Sequence, residues 1–189
     1  MLHLYWGDGK GKTTAAMGLA LRALGHGRRV VILQFLKDGS SGEIEMLRRC
    51  GAAVYACPNA KFTWLMTDAE RAEARRTNTR TLQTILQGSF DLLVLDEATS
   101  GLDPAARSEI LDILLDFIQD ERHSVLLSSH ITTDLEQIAD TIAYLHHGQL
   151  LFAKNKDDLM EEYGILRCSQ QDLDRLPPEW IAATCRTAA

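Results

Sequence analysis

The feature that most constrains the fold is a glycine-rich run near the start of the sequence, Gly7-Asp8-Gly9-Lys10-Gly11-Lys12-Thr13-Thr14. It follows a short apolar segment, Leu2–Tyr5, and opens a helical pattern over Lys12–Leu24. In such a loop, glycines let successive backbone N–H groups turn inward around phosphate oxygens, and the helix N-terminus adds favourable partial charge. Lys12 can then reach the β- and γ-phosphates, and the Thr13 hydroxyl can coordinate Mg²⁺. The run therefore predicts a phosphate loop (Walker A motif) that binds ATP and Mg²⁺.

The spacing of this loop departs from the usual pattern at one position. The pattern GxxxxGK[ST] would place a glycine where Trp6 stands. The alternative interpretation is a glycine-rich turn with an exposed lysine, which binds nothing. The strand before the run and the helix after it favour the phosphate loop.

Short apolar segments and helical patterns alternate along the rest of the chain, without an internal repeat or a Pro/Gly/Ser-rich linker. Strands are predicted at Leu2–Tyr5, Val30–Phe35, Ala52–Ala56, Phe90–Leu95, Ser124–Ser128, Thr141–Leu145 and Leu150–Phe152. Helices are predicted at Lys12–Leu24, Gly42–Arg49, Asp68–Gln87, Pro104–Ile118 and Thr133–Ala139. This alternation is typical of a mainly parallel sheet covered by helices on both faces. We therefore predict a single three-layer α/β nucleotide-binding domain over residues 1–189.

Several turns and helix ends are also predicted from local sequence. Thr67 with Glu70, and Thr133 with Glu136, have the spacing of capping boxes, and Asp103 precedes a first-turn proline as an N-cap. Two further signals are Gly25 as the end of the first helix and His147-Gly148 as a tight hairpin turn. His146 and His147 are interpreted as turn residues rather than as a metal-binding pair.

A second chemical motif ends the strand at Phe90–Leu95, where Asp96 and Glu97 follow four apolar residues. Ligands of open α/β sheets bind at this carboxyl edge of the strands. As in a Walker B strand, Asp96 would hold Mg²⁺ directly or through water, and Glu97 could orient or deprotonate an attacking water. The alternative is an acidic strand end in solvent, which the upstream phosphate loop makes less favourable.

A third motif, Ser128-Ser129-His130, also lies at the end of an apolar strand. From this edge, His130 could contact the γ-phosphate or the attacking water, so we consider it a candidate catalytic residue beside Glu97. Taken alone, an exposed loop histidine without a role is the commoner case.

Composition limits the function classes. No apolar run approaches the roughly 20 residues of a membrane span, and the N-terminus lacks the pattern of a signal peptide. The four cysteines form no CxxC pair, as expected of reduced thiols in a cytoplasmic protein. A net charge of −6 argues against general nucleic-acid binding. We therefore expect a soluble protein with a nucleotide ligand and with neither a nucleic-acid nor a membrane partner.

The first half of the chain, to about residue 97, resembles the P-loop corrinoid (cobalamin) adenosyltransferases. Besides the phosphate loop, the resemblance rests on the runs Ala20–Gly27, Val31–Lys37 and Phe62-Thr63-Trp64, and on the strand that ends in Asp-Glu. That family also lacks the first glycine of the loop. The resemblance implies ATP binding and transfer of the 5′-deoxyadenosyl group to reduced cobalt. It also implies that Phe62 and Trp64 pack against the corrinoid, with a surface cluster of aromatic residues as the alternative.

The second half, from about residue 90, resembles the C-terminal half of an ABC transporter ATP-binding subunit. The matching runs are Leu93–Pro104, Leu126–His130 and Ile138-Ala139-Asp140. This resemblance implies that Glu97 is a catalytic base and that His130 senses the γ-phosphate. The transporter's signature motif and helical subdomain do not occur in the sequence, so we expect no transporter partner.

The two resemblances meet near Gly88–Glu97, and the charge balance changes at the same place. Residues 1–95 hold 13 of the 20 Lys and Arg residues but only 8 of the 26 Asp and Glu residues. We therefore interpret the chain as an engineered or recombinant chimera of two P-loop proteins, with a divergent natural adenosyltransferase as the alternative. Only five residues precede Trp6, so we also expect the segment that covers the corrinoid to be missing.

Both resemblances imply a RecA-like strand order of 3-2-4-5-1-6, with an added C-terminal strand or hairpin. The sequence thus predicts an ATP·Mg-binding protein, a monomer or weak homodimer, with weak or no catalysis. The alternatives are residual corrinoid adenosyl transfer and slow ATP hydrolysis through Glu97.

Overall fold

Every strand that the structure describes belongs to one sheet. The computed structural model describes residues 1–7, 9–35, 37, 39–56, 66–97, 104–130, 138–162, 168–178 and 181, apart from the side chains of Arg71 and Arg75. The strands within these residues are β1 (Leu2–Trp6), β2 (Val30–Gln34), β3 (Ala53–Ala56), β4 (Leu92–Asp96), β5 (Val125–Ser129), β6 (Thr141–His146) and β7 (Gln149–Asn155). The helices are α1 (Lys12–Gly25), α2 (Gly42–Arg49), α3 (Asp68–Leu86), α4 (Pro104–Ile118), α5 (Lys156–Glu162) and α6 (Gln170–Leu173).

The strand order is β3-β2-β4-β5-β1-β6-β7. All neighbours are parallel except β6 and β7, which form an antiparallel hairpin at one edge. The predicted order 3-2-4-5-1-6 with an added strand is confirmed. As predicted, β5 lies between β1 and β4, so the strand before the glycine-rich loop does not touch the strand that ends in Asp96.

The sheet is covered on both faces, because its central strands are apolar on both sides. All five residues of β4 and all five of β5 are buried. On one face Ala16, Met17 and Ala20 of α1 and Ile44 and Leu47 of α2 pack against alternate strand residues such as Val94. On the other face α3 and α4 pack against the residues in between. The result is the three-layer α/β arrangement of a P-loop NTPase-like domain.

Most predicted element boundaries hold to within two residues. Thr67 and Glu70 form the capping box at the start of α3. The hairpin turn falls at His147-Gly148, where both residues have positive φ (47° and 80°). The strand predicted to start at Phe90 starts instead at Leu92, because the Asp91 N–H donates to Arg29 O before the ladder with β2 begins.

Some predicted features fall on residues that are not described. These are the N-cap Asp103, the capping box at Thr133 and Glu136, and the helix over Thr133–Ala139 up to residue 137. None of the helices in the described part of the chain has the length and apolarity needed to cross a membrane.

Candidate functional site

The glycine-rich loop joins the central strand β1 to α1 at the carboxyl edge of the sheet. β1 continues through Trp6, whose indole stacks on the Tyr144 ring of β6 with ring centroids 4.3 Å apart. The loop therefore starts only at Gly7. Gly11, with φ 117°, is the N-cap of α1, and no described side chain caps the first amides of the helix. Uncapped amides at a helix N-terminus form a favourable site for an anion.

Lys12 holds the loop closed. Its side chain is buried, and its ammonium donates to Gly7 O at 2.6 Å and to Gly9 O at 3.2 Å. The cation thus lies against two loop carbonyls, whose oxygens it can exchange for those of a phosphate. Lys10 is exposed on the same loop, and Asp8 lies outside the described residues.

A row of polar side chains crosses the sheet on the α1 face, at the carboxyl edge. Gln34 of β2, Asp96 of β4 and Ser128 of β5 are register partners on adjacent strands, and all three are fully buried. Because residues in register on parallel strands point to the same face, these side chains meet below the start of α1. Three neighbouring strands therefore converge on one carboxylate.

Every oxygen of the Asp96 carboxylate is hydrogen-bonded. Oδ1 accepts from Ser128 Oγ at 2.8 Å and from Thr13 Oγ1 at 3.0 Å. Oδ2 accepts from Lys37 Nζ at 2.6 Å and from Gln34 Nε2 at 3.1 Å. Burial by itself raises the pKa of Asp96, but the ammonium of Lys37 and the hydrogen bonds outweigh it and hold the pKa below its usual value. Asp96 is therefore an ionised acceptor at the floor of the site.

The oxygen atoms of this cluster fit a magnesium ion. Thr13 Oγ1 and Asp96 supply the hard oxygen ligands that Mg²⁺ prefers, and such sites usually keep several waters. The Gln34 Oε1 atom beside them is buried without a hydrogen-bond partner among the described residues. A water in a metal ion's shell would satisfy it.

Glu97 leaves β4 in a left-handed conformation, with φ 58°. Its N–H donates to Ser128 Oγ at 3.1 Å, and its Oε2 lies 3.3 Å from Nδ1 of His130. The Glu97 side chain is mostly buried and that of His130 is half exposed. A non-glycine residue with positive φ costs free energy and recurs at functional sites. The two residues predicted as a catalytic pair are thus adjacent, at the end of two neighbouring strands.

Thr14 lines a groove of about 400 Å³ between α1 and α2. The walls of the groove include Met17 and Leu21 of α1 and Met46 of α2. Gly18 forms part of its floor, and a Cβ added there would meet no described atom within 4 Å. The groove is therefore an open, largely apolar space beside the loop.

Sequence reasoning missed two members of this cluster. Two other residues that it predicted as site residues lie outside the described part of the chain. Gln34 and Lys37 were not predicted as site residues, although a glutamine at the end of an apolar strand is a recognisable signal. Phe62 and Trp64, predicted as corrinoid contacts, are not described. The cluster of Thr13, Asp96, Glu97 and His130 is brought together as expected.

Comparison with known proteins shows the family. A family model described as "ATP:corrinoid adenosyltransferase BtuR/CobO/CobP" matches residues 1–157. The chain belongs to the ATP:corrinoid adenosyltransferase family. It is 30% identical over 151 residues to the corrinoid adenosyltransferase of Escherichia coli strain K12, which covers 77% of this chain and 76% of that protein. The corrinoid adenosyltransferase of Pseudomonas aeruginosa is 37% identical over 106 residues, or 54% of this chain and 52% of that one.

A second group of similar proteins consists of transporter ATPases. A putative ABC transporter ATP-binding protein of Mycoplasma pneumoniae is 33% identical over 104 residues, or 52% of this chain and 31% of that protein. The adenosyltransferase family match runs to residue 157, past the boundary near residue 95 that the motifs suggest. Membership of this family, which binds ATP, therefore covers most of the chain.

Proposed function

We propose that this protein transfers the 5′-deoxyadenosyl group of ATP to the cobalt of a reduced corrinoid. The observation that carries the proposal is the buried carboxylate of Asp96, which accepts a hydrogen bond from Thr13 of the phosphate loop at 3.0 Å. This contact occurs in a chain of the adenosyltransferase family. In this reaction cobalt(I) attacks C5′ of ATP with its electron pair. The cobalt pair forms the new bond to C5′. The bond from C5′ to the α-phosphate oxygen breaks, and triphosphate leaves with the electron pair of that broken bond.

The residues of the site suit the leaving group of this reaction. Negative charge grows on the triphosphate as the C5′–O bond breaks, and groups aimed at that charge lower the barrier. Lys12 can move from the carbonyls of Gly7 and Gly9 to the phosphate oxygens. The amides at the start of α1, which have no side-chain cap, can donate to the same triphosphate. Mg²⁺ held at Thr13 and Asp96 would supply further positive charge. Phe62 and Trp64, which follow β3 in the chain, are the proposed corrinoid contacts.

Slow ATP hydrolysis is the second candidate, and the contact between Glu97 and His130 at 3.3 Å favours it. Glu97 would orient or deprotonate a water, and His130 would contact the γ-phosphate. An added arginine-finger type of charge is worth about 10³–10⁵ in rate. Neither family resemblance implies such a charge in this chain, so we expect an ATP turnover rate well below that of a typical kinase.

A mixed origin of the chain remains a proposal beside these two. It rests on the run Leu93–Pro104 and on the similarity to ABC transporter ATPases. If that segment keeps the chemistry of its source, phosphate release in ATP alone is lost in both Glu97→Gln and His130→Ala. Phosphate release that neither variant lowers would contradict this proposal.

The test compares product release in two conditions. Triphosphate release that requires a reduced corrinoid identifies adenosyl transfer, and phosphate release in ATP alone identifies hydrolysis. In Lys12→Ala, we expect ATP binding to weaken by about 1.5–3 kcal/mol, the scale for charge-assisted hydrogen bonds. Lys156→Ala, on the first turn of α5, is the matched control and should bind ATP like the parent chain. Equal affinities for Lys12→Ala and the parent would contradict the proposed site.

ATP·Mg should also raise the melting temperature in one cooperative transition, because it binds the folded chain and not the unfolded one. A single transition would agree with one domain over residues 1–189. We expect this domain to act as a monomer or weak homodimer. No shift at saturating nucleotide would count against a preformed site.

A further inference from the structure

The ammonium of Lys37 lies between the two groups that would ligate a metal ion. It is 2.6 Å from Asp96 Oδ2 and 3.3 Å from Thr13 Oγ1. The Asp96 side chain has no exposed surface, whereas 37% of the Lys37 side chain is exposed. The cation thus reaches the buried carboxylate from the solvent side of the site.

This position matches what a buried carboxylate needs in the absence of a metal ion. A buried, ionised carboxylate is costly unless a cation compensates it. Ser128, Gln34 and Thr13 supply hydrogen bonds to Asp96 but no charge. Lys37 supplies the positive charge through the same oxygens that a divalent ion would use.

We propose that the Lys37 ammonium substitutes for the divalent cation in the nucleotide-free site and must leave before Mg²⁺ can bind. The proposal rests on the assignment of Thr13 and Asp96 as the magnesium site under the proposed function. An ammonium and a metal ion cannot share the space between these two oxygen ligands. Lys37 is therefore a positioning residue that couples metal binding to nucleotide binding.

The coupling follows from the change in partners. A free metal ion that enters the site displaces Lys37 and leaves its charge without the Asp96 carboxylate. A nucleotide bound to Mg²⁺ brings phosphate oxygens with it, and the long, flexible lysine side chain can turn to them. Mg²⁺ without nucleotide therefore binds weakly, and Mg²⁺ bound to a polyphosphate binds well.

Manganese binding to the nucleotide-free chain tests this proposal, with the Mn²⁺ paramagnetic signal as the readout. In Lys37→Met, we expect Mn²⁺ affinity to rise by at least roughly tenfold, because a competing unit charge within 4 Å is removed. Lys156→Met removes the same charge far along the chain and should bind Mn²⁺ like the parent. Adding Asp96→Asn to Lys37→Met should abolish the gain. Equal Mn²⁺ affinities for Lys37→Met and the parent would overturn the proposal.

Thermal stability gives a second readout. Lys37→Met removes the charge that compensates Asp96, so its melting temperature should fall and then recover with millimolar Mg²⁺, while that of the parent changes little. If Lys37→Met does not fold without metal, Lys37→Gln keeps an N–H donor for Asp96 and gives the same Mn²⁺ comparison. A Lys37→Gln chain that folds without a gain in Mn²⁺ affinity also overturns the proposal.

The result is separable from that of the proposed function. Lys12→Ala tests the phosphate loop through ATP binding and leaves the oxygens of Thr13 and Asp96 in place. A gain of Mn²⁺ affinity in Lys37→Met together with unchanged ATP affinity in Lys12→Ala would uphold the metal competition and reject the phosphate loop. Unchanged Mn²⁺ affinity in Lys37→Met together with weakened ATP binding in Lys12→Ala would reject the metal competition and uphold the phosphate loop.

Discussion

Gly7 lies directly against the backbone of Leu145, so that a Cβ on Gly7 would stand 1.8 Å from the Leu145 carbonyl oxygen. Gly7 also has a φ of 136°, which L side chains rarely adopt. Farther along the loop, a Cβ on Gly11 would stand 3.3 Å from Gly148 Cα. The β6–β7 hairpin therefore supports the phosphate loop from below, and two of the loop's glycines are needed for this contact as well as for any bound phosphate.

Replacing Gly7 by alanine should destabilise the fold strongly. We expect Gly7→Ala to lower the free energy of unfolding by about 3 kcal/mol or more, because backbone atoms must move to admit the methyl group. Gly27→Ala is the control, since Gly27 has φ 69° but no described atom within 4 Å of its added Cβ. The free energy of unfolding of that variant should fall by only about 1–2 kcal/mol, the cost of an L residue in a left-handed conformation. Equal urea midpoints for the two variants would contradict the contact.

Glu97 should be held in its left-handed conformation at a cost to stability. Glu97→Ala and Glu97→Gly both remove the carboxylate that lies beside His130, but only glycine also relieves the positive φ of 58°. We expect Glu97→Gly to be more stable than Glu97→Ala by about 1 kcal/mol. Denaturant unfolding of both variants measures the difference. A less stable glycine variant would show that the backbone at residue 97 is not strained.

Ser128 should fix the geometry of both acidic residues. Its hydroxyl donates to Asp96 Oδ1 and accepts from the Glu97 N–H, and the side chain is fully buried. Ser128→Ala should lower the free energy of unfolding by about 1–3 kcal/mol, because two buried polar groups lose a partner. It should also lower corrinoid-dependent triphosphate release.

The control for Ser128 is Thr84→Ala. The exposed Thr84 hydroxyl donates to Arg80 O within α3, so its loss should change stability by less than about 0.5 kcal/mol. Similar losses in the two variants would argue against a structural role for Ser128.

Stability should fall in mild acid because of His3. Burial, aided by the N-terminal ammonium, lowers the pKa of His3 below 6.5, although Asp140 opposes this. The unfolded chain therefore takes up a proton first as the pH falls through 6.5, which favours unfolding down to the folded-state pKa. His3→Gln removes this titration, so its unfolding free energy should depend less on pH between about 7 and 5. Parallel pH profiles would contradict the lowered pKa.

Much of the fold is predictable because the buried strands of a parallel sheet have unbroken apolar sequences. The run ending in Asp96 and the run ending in Ser128 locate two central strands, and the glycine-rich loop locates a third. The strand order, in contrast, is predicted from the resemblance to two P-loop families and not from these runs. Local signals such as the capping box at Thr67 need no tertiary context and were also predictable.

The rest of the site depends on contacts between distant parts of the chain. Lys37 meets Asp96 across 59 positions of sequence, and nothing in the local run around Lys37 indicates that its side chain turns inward. Gln34 visibly ends an apolar run, but its contact with Asp96 depends on the register between β2 and β4, which apolar patterning does not specify. The support of Gly7 by Leu145 is likewise invisible in sequence, where a loop glycine is explained by phosphate binding alone.

The position of β1 in the sheet has a consequence for protein synthesis. β1 holds residues 2–6, yet its two neighbours are β5 and β6, formed by residues 125–146. On a translating ribosome, β1 must wait for more than a hundred further residues before β5 and β6 can pair with it. Such distant pairings slow folding, and an unpaired strand in a growing chain invites aggregation. We therefore expect the nascent chain to need chaperone protection, and ATP to bind only after the hairpin at His147 has emerged.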